Sequence, residues 1–187
     1  MVTAVTKLKP AARRRMARAV TRLMPWDIQD REYYPPQAAV IDLAVRIALA
    51  VLDEGRDVED ITADENAELV QALVPIVQVA RGLAEYALAQ GPDHCSPEEL
   101  ASARACLDGR CEAELLDETR WAIARGAQMF AGANAPTTAL QARKLVDDLV
   151  ERRDRSVQRR EKCAVDATAA HETKPGEGRV QTRVCAH

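Results

Sequence analysis

The chain has 187 residues, of which 47 % are hydrophobic but only 3 % aromatic, and its formal net charge is −3. That length fits one domain with ragged ends, large enough to bury a core, and the shortage of aromatics means the core must be built from Ala, Val, Leu and Ile. No apolar h-region follows the basic start, and the apolar runs are broken by Asp42 and Arg46 or by Gln78 and Arg81, so secretion and membrane spanning are not expected and a cytoplasmic protein is.

The small net charge conceals a separation of sign. Residues 1–24 carry Lys7, Lys9, Arg13, Arg14, Arg15, Arg18 and Arg22 and no acid. Residues 25–150 hold 10 bases and 23 acids, while residues 151–187 hold 9 bases and 6 acids. A basic arm therefore precedes an acidic body. Within the arm, Val5, Leu8, Ala12, Met16, Ala19, Val20 and Leu23 fall on one helical face about 120° wide, opposite Lys7, Arg14, Arg15, Arg18 and Arg22. This predicts a basic amphipathic helix over residues 1–24, ending before Pro25. Residues 25–36, with Tyr33, Tyr34 and Pro35-Pro36, read as an extended connector.

A second helix is expected from about Gln37 to Asp53, where Val40, Ile41, Ala44, Ile47, Ala48 and Val51 form a wide apolar stripe closed by Gly55. A third starts after Thr62, which with Glu65 has the T-x-x-E pattern of a capping box, and runs to about Gln90. Pro75 inside it removes one ladder hydrogen bond, predicting a kink near Gln71 to Pro75. Ser96-Pro97-Glu98-Glu99 marks the start of a fourth helix, with Ser as N-cap and Pro at the first helical position, and Asp108-Gly109 stops it. A fifth spans about Cys111 to Phe130. The sixth begins at Thr137 or Thr138, with Gln141 completing a second kind of box, and loses its periodicity after about Lys162. No alternating strand pattern is present. The fold class is thus all-α, a five- to six-helix bundle with a basic amphipathic N-terminal helix and an acidic helical body over residues 37–160, and residues 161–187 are expected to form a disordered tail.

Four constellations carry possible chemistry. Arg13, Arg14, Arg15, Arg18 and Arg22 would bind phosphates of a nucleic acid, or a protein partner, if the arm were free; the ordinary alternative is that its apolar face docks on the body. Arg outnumbers Lys 21 to 5, which fits the codon bias of a high-G+C bacterial genome and lowers the weight of each arginine. Thr137, Thr138, Gln141, Arg143 and Lys144 occupy the positions of a recognition helix, but the preceding turn is long for a helix-turn-helix. His94, Cys95, Cys106 and Cys111 have the ligand chemistry of zinc without the spacing of a known finger, and Cys106 also suits a buried apolar stripe. Asp147, Asp148 and Glu151 place two carboxylates on one helical face, as a magnesium site would, although Asp148 and Arg152 also have simple ion-pair spacing.

The five cysteines lack framework spacing and are expected as reduced thiols. The glycine-rich phosphate loops, zincin and nucleophile-elbow motifs are absent from the sequence. The resulting expectation is a non-enzymatic helical interaction or accessory protein, requiring no cofactor, whose partner is another protein or a second copy. A small DNA-binding regulator using the Arg-rich helix is the alternative, and a zinc protein or metal-dependent enzyme the third.

Overall fold

Six helices account for most of the described residues, which are 8–26, 35–132 and 134–172 of this computed structural model, and no strand occurs among them. They are α1 (Pro10–Leu23), α2 (Pro35–Glu54), α3 (Ala63–Gln90), α4 (Pro97–Leu107), α5 (Arg110–Phe130) and α6 (Ala139–Glu172). The all-α reading holds, and each expected helix is present.

The helix starts follow the side-chain chemistry of the sequence. Thr62 Oγ1 accepts from the Glu65 amide at 3.2 Å, and the Glu65 carboxylate accepts from the Thr62 amide at 2.9 Å. The same reciprocal pair joins Ser96 to Glu99, at 3.2 and 2.6 Å. At the head of α6, Thr138 Oγ1 accepts from the Gln141 amide at 3.2 Å, while Gln141 Oε1 accepts from the amides of Thr137 and Thr138. Each box satisfies donors that the first turn of a helix leaves without a carbonyl partner. Gly91 and Gly109, at φ +69° and +93°, end α3 and separate α4 from α5 in a conformation that costs other residues energy.

Three boundaries differ from the periodicity reading. Helix α1 starts at Pro10 rather than nearer residue 1, with a proline at its first position. Helix α2 starts at Pro35 rather than Gln37, because a proline at the first helical positions loses only an amide that has no intrahelical acceptor. Helix α6 continues to Glu172, past the point where its apolar spacing ends; Ala164, Ala167, Ala169 and Ala170 are strong helix formers, and propensity does not depend on an apolar face. The remainder of the expected tail, 173–187, lies outside the described residues, as do residues 1–7 of the arm and 27–34 of the connector. Helix α3 runs unbroken through Pro75. Both Pro75 and Gln71, whose carbonyl loses its ladder donor, are exposed, so water can serve that oxygen.

Contacts divide the chain into two units, residues 1–150 and 151–187. In the first, α5 packs against α1, α2, α3 and α4, and α2 packs also against α1 and α3. Met16, Val20 and Leu23 of α1, Val40, Ala44, Ile47 and Val51 of α2, Leu69 and Leu73 of α3 and Ala122, Ile123 and Ala127 of α5 are buried in one cluster, with Ala142 and Val146 of α6. Helix α1 is therefore a core element of the bundle. Its contact with α5 is close: a β-carbon at Gly126 would lie 2.4 Å from Val20 Cγ2. The second unit is helical through its described part, residues 151–172.

Candidate interaction surface

Once α1 is docked, its arginines separate into two groups. Arg13 forms an ion pair with Asp53 of α2, and its Nε donates to Leu8 O at 3.3 Å. Arg15 Nη2 donates to Pro136 O at 3.1 Å, fastening α1 to the loop before α6. Arg22 Nη2 lies 2.7 Å from Asp147 Oδ1. Arg14 and Arg18, on the outer face, are exposed, and neither has an ion-pair partner among the described residues. The docked helix thus presents two of the five candidate arginines freely, and the acidic body neutralises part of the arm through Asp53 and Asp147.

The acidic loop before α3 is organised by its own arginine. Arg56 Nη1 and Nη2 donate to the two Glu65 carboxylate oxygens at 2.9 and 2.7 Å, a bidentate pair whose side chains are only 15 % and 20 % exposed. This guanidinium, with the Thr62 amide, holds the Glu65 carboxyl down at about 2. The same pair raises Arg56. Because Glu65 is also the capping residue, one carboxylate joins the loop to the start of α3.

The other candidate residues are dispersed or already engaged. Cys106 and Cys111 lie together in a small apolar cluster with Ala84 and Ala103 where α3, α4 and α5 meet. Burial, reinforced by the neighbouring Cys106 thiol, pushes the Cys111 thiol up to about 12, so it stays protonated near neutrality. Cys95 Sγ donates to Ala87 O at 3.5 Å. Among the described residues, no group of three or more His, Cys, Asp or Glu side chains is placed to hold a metal ion. Asp147 is occupied by Arg22 and by Arg143, 3.9 Å away, and Glu151 by Arg155 at 2.6 Å. Gln141, a recognition-helix candidate with Thr137, Thr138, Arg143 and Lys144, spends its side-chain oxygen on the α6 cap. A shallow depression of about 400 Å³ beside Trp121 is bordered by Arg120, whose Nε bonds Asn66 Oδ1 at 3.0 Å and whose Nη1 pairs with Asp117 at 3.2 Å. No nucleophile and base are brought together there.

What the sequence reading missed is the outer face of α3. Helices α2 and α3 each contain a window of eighteen residues long and apolar enough to cross a bilayer, despite their internal charges and polar side chains, but only 33 % and 22 % of these windows are buried in the bundle. In α2 the most apolar positions supply the central core. In α3 one stripe, Leu69, Leu73, Val77 and Ala84, packs inward. The opposite side carries Val79 at 48 %, Leu83 at 65 % and Tyr86 at 64 % exposure, extended by exposed Pro75 and Gly82, with Val74 at one margin. Spacings of three and four residues keep these side chains in line. The detectable signal was that α3 is apolar on more than one face, which a surface helix of a bundle does not need. Comparison with protein-family models, with curated proteins and with solved structures yields no match.

Proposed function

We propose that the chain is a non-enzymatic, cytoplasmic helical interaction protein whose partner surface is the outer face of α3. The observation that carries this reading is the alignment of Val79, Leu83 and Tyr86, each about half exposed or more, on one helical face. Single exposed apolar side chains are ordinary, but a contiguous row including an aromatic is the composition of an interface centre. The engagement of Arg13 by Asp53, Arg15 by the Pro136 carbonyl and Arg22 by Asp147 supports it further, since those contacts hold α1 in place. The test compares wild type with Leu83→Glu/Tyr86→Glu by native mass and by the proteins recovered with each from the source cytoplasm, after matched circular dichroism. The variant is expected to lose an association that wild type shows. Identical mass and identical recovered proteins would refute the assignment.

A second reading, nucleic-acid binding, shifts from the N-terminal arginines to the second unit. There Arg152, Arg155, Arg159, Arg160 and Lys162 are exposed on a helix, and phosphate contacts from such a segment produce a steep salt dependence. Duplex binding that survives Arg159→Ala/Arg160→Ala with an unchanged salt slope would exclude those residues.

A further inference from the structure

We infer that Cys106 and Cys111 are a redox pair that closes into an intrachain disulfide across the α4–α5 turn when a low-molecular-weight disulfide oxidises them. Cys106 lies in the last turn of α4 and Cys111 in the first turn of α5. Only Asp108 and Gly109 stand between the two helices. Gly109, at φ +93°, redirects the chain there, and its amide donates to Cys106 O at 3.1 Å. The turn brings both cysteines to one small cluster, otherwise built from alanine and leucine side chains of α3 and α4. Within it the two thiols are close enough for one to hydrogen-bond the other.

An apolar cluster by itself asks only for small side chains, and alanine fills its other small positions. What sulfur adds at two adjoining positions is the capacity to form a covalent bond. Exposure orders the chemistry: Cys106 is 8 % exposed, while Cys111 lies half-buried at the rim. A small disulfide therefore meets Cys111 first. The Cys111 thiolate attacks one sulfur of the reagent, forming a mixed disulfide and releasing a small thiol that takes the proton Cys111 gave up. Cys106 then attacks the Cys111 sulfur and expels the second small thiol, which takes the Cys106 proton. One reagent disulfide is reduced to two thiols, and the chain loses two hydrogens. Burial, with Cys106 and Glu114, keeps the Cys111 thiol protonated against the pull of Arg81, so the first step is slow at neutral pH and quickens as pH rises.

The bond ties down a lightly anchored helix. Helix α4 packs mainly on α3 and α5, and of its side chains only Leu100, Ala103 and Cys106 are buried. A disulfide spanning Leu107, Asp108, Gly109 and Arg110 limits how far α4 separates from α5, in local openings as well as in the unfolded chain. With the pair reduced, α4 opens at the cost of three buried side chains; with it oxidised, the end of α4 stays on α5. Disulfides in a reducing compartment are rare, and those that form there are transient and redox-sensing, a use that suits a pair with one reachable sulfur and one shielded.

The test incubates the full chain, folded and reduced, with 2-hydroxyethyl disulfide at about pH 8.5, blocks remaining thiols with iodoacetamide and digests with trypsin. Because Arg104, Arg110 and Arg120 flank the two cysteines, peptides 105–110 and 111–120 are expected to emerge joined and to separate on reduction. The oxidised chain should exchange its α4 amides about tenfold more slowly and unfold about 4–8 °C higher, both reversed by dithiothreitol. Cys106→Ala should leave Cys111 as a mixed disulfide with the reagent. Cys111→Ala, which alters the half-buried member and spares the fold, should leave Cys106 unmodified. Peptides that stay separate while Cys95 or Cys163 is oxidised overturn the inference, as does a link from either cysteine to Cys95. A joined pair that changes neither α4 exchange nor the midpoint also overturns it, since the bond then controls nothing.

Discussion

Gly126→Ala tests the docking of α1, on which the assignment of the arginines depends. Helix propensity alone predicts a gain of about 1 kcal/mol, since Gly126 lies inside α5. The packing predicts the opposite. The new methyl would stand 2.4 Å from Val20 Cγ2, well inside the ~3.5–4.0 Å at which carbon atoms make favourable contact. Val20 is β-branched and fully buried, so it has little rotamer freedom with which to yield, and α1 must move away from α5. Overpacking of this kind costs about 1–3 kcal/mol, which leaves a net loss of about 0–2 kcal/mol after the propensity gain. Thermal unfolding followed by circular dichroism would read it, as a fall in midpoint temperature of about 2–4 °C for each kcal/mol. The control is Val20→Ala. By itself it removes two buried methyl groups and costs about 2 kcal/mol, but in its background Gly126→Ala should become stabilising, because the added methyl enters the vacated space. A double-mutant cycle then shows coupling of about 1–3 kcal/mol, the overpacking that Val20→Ala relieves. If Gly126→Ala stabilises the wild-type protein, or if the two substitutions are additive, α1 does not pack on α5 as described.

The Glu65 carboxyl should make stability depend on pH, because its folded value is about 2 against an ordinary 4.5. A lowered carboxylate pKa contributes stability above its unfolded value and loses it as pH falls toward the folded one; here the contribution is about 2–3 kcal/mol after allowance for screening. Glu65→Gln should therefore be less stable by about that amount at pH 7, with the gap narrowing from about pH 4.5 toward about pH 2, and a gap independent of pH in urea titrations would refute it. Removing Arg13 by Arg13→Ala should cost about 1–2 kcal/mol by leaving Asp53 without its guanidinium, whereas Arg14→Ala/Arg18→Ala should stay within about 0.5 kcal/mol of wild type. Equal losses in thermal unfolding would show that the outer arginines are engaged as well.

Much of the helical framework was legible because its signals are local. Thr62 with Glu65, Ser96 with Glu99 and Thr138 with Gln141 need only three residues of spacing to form their reciprocal bonds, and each forms them. Gly109 separates α4 from α5 by backbone conformation alone. The candidate site was less legible. The arginine run from Arg13 to Arg22 stands out in sequence, but sequence does not say that Asp53 and Asp147 come to meet it. The row of Val79, Leu83 and Tyr86 was hidden for the converse reason: an apolar residue in a helix reads as core until its neighbours are known. The cysteines illustrate the same limit, since Cys106 and Cys111 meet across the α4–α5 turn without His94 joining them in a metal site.

By itself the sequence determined which segments are helical, where most of them begin and that charge is divided between a basic start and an acidic body. These depend on capping, periodicity and composition, which act over a few residues or over the whole chain without regard to partners. Only the tertiary structure decided which apolar faces are covered. Helix α5 fills the centre and α1 is drawn against it, while one face of α3 is left over after α2, α4 and α5 have packed on the others. Burial belongs to the arrangement of the helices, because the same leucine or tyrosine is core on one face and an interaction surface on another.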